Sequence, residues 1–279
     1  MLPLLSTVPI LYLLAFSPYP LSFPTPWLIA VALNTVLLAI VWFLPKKLLT
    51  LAGIMHAWIL GVLVWISLGW QGYAVVGFYF LVGSGMTRVG MAQKEAAGIA
   101  EKRSGARGPE NVWGSALTGA LCAIGSLLVP FFLPAAESQW LVPLLLLGYV
   151  ASFSTKLADT CSSEIGKAYG QRTFLITTFQ PVPRGTEGAV SLEGTLAGVA
   201  ASVAIALVGW GVGLMPLWQV AICVVAAFIG TNIESVIGAT LQSRFAWLTN
   251  EVVNILNTLI GAIAAVLLVE GLRISRLVL

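Results

Sequence analysis

The sequence predicts an all-α integral membrane protein, a polytopic bundle of eight or nine transmembrane helices. Three observations carry this. Of its 279 residues 58% are hydrophobic and only 9% charged, with a mean hydropathy of +0.96. A soluble domain carries about 25% charged residues, so this chain lacks the polar surface to stay in water. Its apolar residues come in long unbroken runs, not in the roughly ten-residue alternating stretches of a barrel. The charges, finally, gather in a few connections.

At ~20 apolar residues per crossing, spans are expected near 2–16, 26–44, 49–69, 73–87, 112–133, 140–160, 188–209, 214–238 and 250–270. The first is short and interrupted by Pro3 and Pro9, which leaves the count at eight or nine. SPYPLSFPTP, residues 17–26, reads as a charge-free turn. The connections 88–111 and 167–187 are the long ones, and long loops in compact proteins are often functional. The chain is read as a single transmembrane domain, with N-terminal helices in 1–70 and a core in 71–279.

The positive-inside rule orients the bundle. With nine spans, Lys46, Lys47, Arg88, Lys94, Lys102, Arg103, Arg107, Lys156, Lys167, Arg172, Arg184 and Arg244 all fall on one side, read as cytoplasmic; only Arg273 and Arg276 fall on the other. Glu95, Glu101, Glu110, Asp159, Glu164, Glu187, Glu193, Glu234 and Glu251 sort with the basic face, against Glu137 and Glu270 opposite. Charge is thus concentrated where the ends of the sixth and eighth spans meet the starts of the seventh and ninth. A faint repeat runs through these starts. ENVWGSALTG from 110, EGAVSLEGTLAG from 187 and NEVVNILNTLIG from 250 align without gaps and place Thr118, Thr195 and Thr258 in one column.

Several chemistries are excluded. Cys122, Cys161 and Cys223 are scattered without a CxxC, against a disulfide framework or zinc site. The one histidine, His56, lies in an apolar run and reads as a packed helix residue, which removes Ser-His catalysis. The chain has no basic residue before Lys46 and so does not resemble a secretory signal. Gly166-Lys167 is followed by alanine, GSG at 83–85 is no dinucleotide fingerprint, and HExxH and protein-kinase signatures are missing. No nucleic-acid partner is expected.

Four constellations remain. In LADTCSSEIGKAYG (157–170), a continued sixth helix puts Asp159, Ser162, Ser163 and Gly166 on one face, flanked by Glu164. Carboxylates and hydroxyls at a membrane boundary suit Mg²⁺, a hard cation with oxygen ligands; the bland alternative is a solvated helix end. In PVPRGTEGAVSLEGTLAG (181–198), Thr186 is expected to cap a helix starting at Glu187, so that Arg184 and the free N–H groups form a phosphate site. Glu193 lies in the same stretch, and Ser191, Gly194, Thr195, Gly198 and Ser202 form a small-residue stripe, of which Gly198 and Ser202 read as packing. The third holds Glu234 in GTNIESVIG and Asn250, Glu251, Asn254 and Asn257 on the last helix. The fourth is the loop 87–114. There Lys94, Lys102 and Arg103 either hold anions or merely orient the chain, while Arg107 and Asn111 beside Gly108-Pro109 look site-like.

DTCSSEIG, VPRGTEGAVSLEGTLAG, ESVIGATLQ, TNEVVN and SGMTRVGMAQKEAAGIAEKRSGARGPENV resemble a family of membrane proteins that includes the chloroplast phytyl-phosphate kinase of the vitamin E pathway, over about residues 80–260 and closest to its cyanobacterial branch. The resemblance implies transfer of the terminal phosphate of a nucleoside triphosphate, CTP foremost, to an isoprenyl monophosphate lipid, for tocopherol or phylloquinone synthesis. The catalytic set is then expected in Asp159, Glu164, Arg184 and Glu234. Substrate and phosphate would meet Arg107, Asn111, Lys167, Thr186, Ser191, Asn250 and Asn254. A Mg²⁺ ion would be held among Asp159, Glu164, Glu193 and Glu234. The location implied is a plasma or thylakoid membrane with the site facing the cytoplasm. The alternative is a transporter or flippase for an anionic isoprenoid, which would place binding groups near the midplane in inverted repeats; a structural or assembly factor is a third reading.

Overall fold

The computed structural model describes residues 25–44, 47–101 and 105–278. The expected span at 2–16, most of the turn at 17–26, and Lys46, Lys102 and Arg103 lie outside them. The elements are α1 (Thr25–Phe43), α2 (Leu51–Arg88), α3 (Met91–Ala96), α4 (Pro109–Phe132), α5 (Ala135–Tyr169), β1 (Thr173–Leu175), β2 (Ala189–Ser191), α6 (Leu192–Gly211), α7 (Gln219–Thr240) and α8 (Asn250–Val278). Helices α2, α4, α5, α6, α7 and α8 are each long and apolar enough to cross a membrane, and α1 is a shorter apolar helix.

A straight α2 would be about 57 Å long, yet its two ends meet. Arg88 Nη2 donates to the Lys47 carbonyl at 3.0 Å. A Cβ on Gly53 would lie 2.4 Å from the Arg107 carbonyl oxygen, and one on Gly83 2.9 Å from Arg107 Nη2. The helix reverses at Gly69 (φ 62°, ψ −155°) into arms 51–68 and 70–88. Each arm is roughly 27 Å, close to the ~30 Å hydrocarbon core. The spans expected at 49–69 and 73–87 are these two arms, which gives eight crossings among the described residues. Trp65 meets Tyr73 edge-on at 5.5 Å beside the reversal, and Tyr149 OH donates to the Gly72 carbonyl at 2.7 Å.

Helix α5 is the axis. Every residue from Leu146 to Asp159 is buried, the mark of a helix surrounded on all sides. Water offers no drive between helices inside a bilayer, so small residues do the packing. A Cβ on Gly194 or Gly198 of α6 would come 2.6 Å from the Ser162 carbonyl oxygen or 2.1 Å from Ser162 Oγ, and one on Gly119 of α4 would meet Phe153 at 2.5 Å. The packing role expected for Gly198 and Ser202 holds: Ser154 Oγ donates to the Ser202 carbonyl at 3.2 Å. His56 is packed as expected, accepting from Trp113 Nε1 at 2.8 Å.

The seventh span starts later than expected. Helix α6 begins at Leu192, not Glu187, and Ser191 rather than Thr186 is its cap, Ser191 Oγ accepting from Gly194 N at 3.1 Å. The cause is a small antiparallel ribbon that no helical period announces, with Thr173 opposite Ser191, Phe174 opposite Val190 and Leu175 opposite Ala189. Gly185 (φ 84°) and Gly188 (φ 74°) make the turns that lead into it, and the Thr186 hydroxyl donates to the Pro183 carbonyl at 2.8 Å. The helix expected to open at 187 therefore does not, whereas α4 and α8 start at Pro109 and Asn250, and the Thr118 and Thr258 hydroxyls bond to each other at 2.8 Å.

At Gly69 the backbone occupies a region essentially restricted to glycine. Gly69→Ala is expected to lose about 1–3 kcal/mol, seen as a lower midpoint of thermal unfolding in detergent, while Gly77→Ala, where an added Cβ meets nothing within 4 Å, leaves the midpoint unchanged.

Candidate functional site

A cavity of about 390 Å³ opens at the basic end of the bundle, between α2, α4, α5, α6, α7 and α8. Its floor is built by α5. Because that helix runs on through Tyr169, Asp159, Ser162, Ser163, Glu164 and Gly166 all line the cavity, as the helical spacing predicts.

Lys156 lies one turn below Asp159. Its ammonium donates to Asp159 Oδ2 at 2.5 Å and to Asn254 Oδ1 of α8 at 2.7 Å, with Lys156 6% and Asp159 7% exposed. Glu234 of α7 comes close to both Asp159 and Lys156 and lines the same cavity. Three helices thus converge on one cation flanked by two carboxylates and an amide.

A second cluster sits higher on α5. Lys94, fully buried, donates to Glu164 and to the Thr87 carbonyl, the latter at 2.7 Å, and Lys167 stands 4.0 Å from Glu164. The short α3 exists to bring Lys94 there. It is entered at Gly90 (φ 63°), where a Cβ would fall 2.6 Å from that of Ala168. The structure thus assigns Lys94, ambiguous in the sequence, to an ion pair.

Arg107 is fixed by its backbone and its side chain. Its N–H donates to the Leu48 carbonyl and its carbonyl accepts from Thr50 N, both at 3.0 Å. The guanidinium lies 5.2 Å from the Tyr79 ring centre and donates to Tyr79 OH at 2.8 Å. Pro109 at the first helical turn and the Asn111 side chain, accepting from Gly108 N at 3.0 Å, start α4 immediately after it.

Of the residues singled out in the sequence, Asp159, Glu164, Glu234, Arg107, Asn111, Lys167, Thr186, Ser191, Asn250 and Asn254 line the cavity. Asn250 accepts from Gln242 Nε2. Arg184 and Glu193 are not in the lining. Arg184 is exposed and donates to the Ala168 carbonyl at 3.0 Å, where it complements the C-terminal end of α5. Glu193 accepts from Gln171 N at 3.4 Å, outside the cavity. Asn257 is fully buried below it. Sequence reasoning counted Lys156 only as an orienting charge and passed over Tyr79. For Lys156 a signal was present: a cation three residues before an acid, in an otherwise apolar helix, faces that acid.

The lining carries six carboxylates (Glu101, Asp159, Glu164, Glu187, Glu234, Glu251) and three cations (Arg107, Lys156, Lys167). Among the described residues no three His, Cys, Asp or Glu side chains converge as a ready-made metal cage.

Residues 34–262 match the family described as "Integral membrane protein DUF92". The chain belongs to this family. It is 63% identical over 245 residues to the "Uncharacterized membrane protein sll0875" of Synechocystis sp., covering 88% of this chain and 92% of that one. It is 48% identical over 244 residues to "Protein VTE6, chloroplastic" of Arabidopsis thaliana, covering 87% and 72%. To the "Uncharacterized membrane protein MJ0933" of Methanocaldococcus jannaschii it is 32% identical over 217 residues, covering 77% and 84%. No solved structure matches the chain. The chain is a multi-pass integral membrane protein.

Removing Lys94 strands Glu164 in a buried site. Lys94→Met is expected to cost about 3–5 kcal/mol, with much of the loss recovered in Lys94→Met/Glu164→Leu, as read from unfolding midpoints of the three proteins.

Proposed function

We propose that the protein is an isoprenyl monophosphate kinase, which transfers the terminal phosphate of a nucleoside triphosphate, CTP foremost, to phytyl monophosphate or a related prenyl monophosphate. The product diphosphate serves tocopherol or phylloquinone synthesis. The observation that carries this reading is the polar cavity at the basic end of the bundle, where six carboxylates and three cations gather on the ends of membrane-spanning helices and on the loops beside them. The family resemblance supplies the reaction class, and the similarity to the chloroplast protein supports it. The basic end, and with it the site, faces the cytoplasm.

A lipid acceptor explains a site made from helix ends: its chain stays in the bilayer while its phosphate meets the nucleotide at the surface. An acceptor phosphate oxygen attacks the terminal phosphorus, the bond to the bridging oxygen breaks, and the nucleoside diphosphate leaves. The acceptor is already anionic near neutral pH, so no carboxylate has to act as a base. Phosphoryl transfer needs positioning and cations more than covalent chemistry. Arg107, held over Tyr79, and Lys167 at the rim bind phosphate oxygens. Lys156 lies deeper and faces the transferring group.

The excess of carboxylates in the lining would repel a triphosphate that arrived alone, and this fits a divalent cation that enters with the nucleotide. Mg²⁺ takes one or two carboxylates and fills the rest of its shell with phosphate oxygens and water; the adjacent Asp159 and Glu234 fit that donor set. Bound there, it would supply neutralisation of the charge on the transferring phosphoryl group.

The test is radiolabel transfer from the terminal phosphate of CTP into phytyl diphosphate by the purified protein in detergent with Mg²⁺. Labelled lipid diphosphate is the expected result. Absence of label with every nucleoside triphosphate, together with flux of phytyl monophosphate across liposomes, would replace the kinase by a transporter. Within the kinase, Lys156→Met is expected to lower kcat by about 100- to 1,000-fold, the usual cost of a lost transition-state donor, with the unfolding midpoint recorded beside it.

A further inference from the structure

The cavity does not end at the polar cluster. Along α6 it is lined from Ser191 down to Ser202, and along α7 from Gly238 down to Val224, about 16 Å and 21 Å along the two helix axes. Below the carboxylates its lining includes Val199 of α6 and Val224 and Phe228 of α7, with Ser202 at its lower end on α6. Phe228 is 49% exposed, and on the same side of α7 Val225 is 47% exposed, so Phe228 stands both in the cavity wall and on the surface that meets lipid.

Three neighbouring flanks are closed. Helices α5 and α6 touch through Gly194 and Gly198. A Cβ on Gly230 would lie 3.1 Å from Asn257 Oδ1, which seals α7 against α8. The Thr118–Thr258 hydrogen bond and the contact of Gly114 with Glu251 seal α4 against α8.

We infer that the interval between α6 and α7 is a lateral portal, through which the single hydrocarbon chain of an anionic lipid passes from the bilayer while its phosphate sits beside Asp159 and Lys156. This rests on the kinase reading for the identity of the lipid, an isoprenoid monophosphate, and on the cavity alone for the path. Phe228 and Val224 lie about 9 Å and 15 Å below Glu234 along α7, the depth at which the first isoprene units of a phosphate-anchored chain would run. The portal makes chain length a weak determinant of selection beyond those units, because the remainder lies in lipid.

A prenyl monophosphate bearing a diazirine in its second isoprene unit, irradiated with the wild-type protein in nanodiscs and mapped by mass spectrometry, reads the path whatever the reaction. Adducts confined to 195–202 and 224–231 are expected. Adducts instead on the far-end apolar recess of Trp27, Trp58 and Leu127, or none that excess unlabelled phytyl monophosphate competes away, would overturn the portal. Turnover then separates portal from kinase: Val224→Trp and Phe228→Trp, checked for an unchanged unfolding midpoint, are expected to raise KM for phytyl monophosphate about tenfold and to leave a C5 prenyl monophosphate within twofold. Equal KM for the long acceptor in variants and wild type would overturn the portal and leave the kinase standing. Portal adducts without any turnover would do the reverse.

Discussion

Everything at the basic end of the bundle answers to one constraint: α5 carries Lys156, Asp159 and Glu164 into a region where an unpaired charge costs several kcal/mol. The surrounding chain is arranged to meet that cost. Helix α8 brings the Asn254 amide to Lys156, α7 brings Glu234 alongside Asp159, and the 89–107 connection folds a short helix inward to deliver Lys94 to Glu164. The glycines of α6 and α7 let those helices approach closely enough for the groups to meet.

The same arrangement is what a phosphoryl-transfer site requires. Charges already held in place by neighbours need no reorganisation when a phosphate arrives, and preorganised charge in a poorly hydrated pocket is where electrostatic stabilisation is largest. The two clusters on α5 differ in how they meet the cavity. Lys94 is fully buried behind Glu164 and outside the lining, so that pair ties the 89–107 connection to α5, whereas all three of Lys156, Asp159 and Glu234 line the cavity. Arg107 is held by the chain around it and by Tyr79, so that its guanidinium is offered at a fixed height above the floor. Val224 and Phe228 line the α7 wall below Glu234.

Much of this was legible in the sequence, because hydrocarbon thickness and charge placement are strong signals. The crossings from α1 to α8 follow from apolar run length, and even the reversal inside α2 was marked by the gap between runs at 69–73. The convergence of Asp159, Glu234, Asn254 and Arg107 follows from the sorting of charge to one face. Three things escaped for physical reasons. The start of α6 is displaced because a three-residue strand pair outcompetes the helix at 189–191, and so short a ribbon leaves no periodicity. Arg184 was grouped with the phosphate ligands on its place in sequence, but two positive-φ glycines turn the chain so that it ties down the end of α5 instead. Lys156 was hidden by its position: a lysine near a helix end reads as an orienting charge until the helix is known to continue past it.

The most direct test of the central claim, that the chemistry is centred on the carboxylate pair beside Lys156, is the rate of terminal-phosphate transfer by Asp159→Asn beside the wild type, in the same detergent and with saturating Mg²⁺. The change keeps the shape of the side chain and removes its charge. The rate is expected to fall about 100-fold or more in a protein that still unfolds cooperatively. An Asp159→Asn protein that is equally well folded and turns over at the wild-type rate would contradict it.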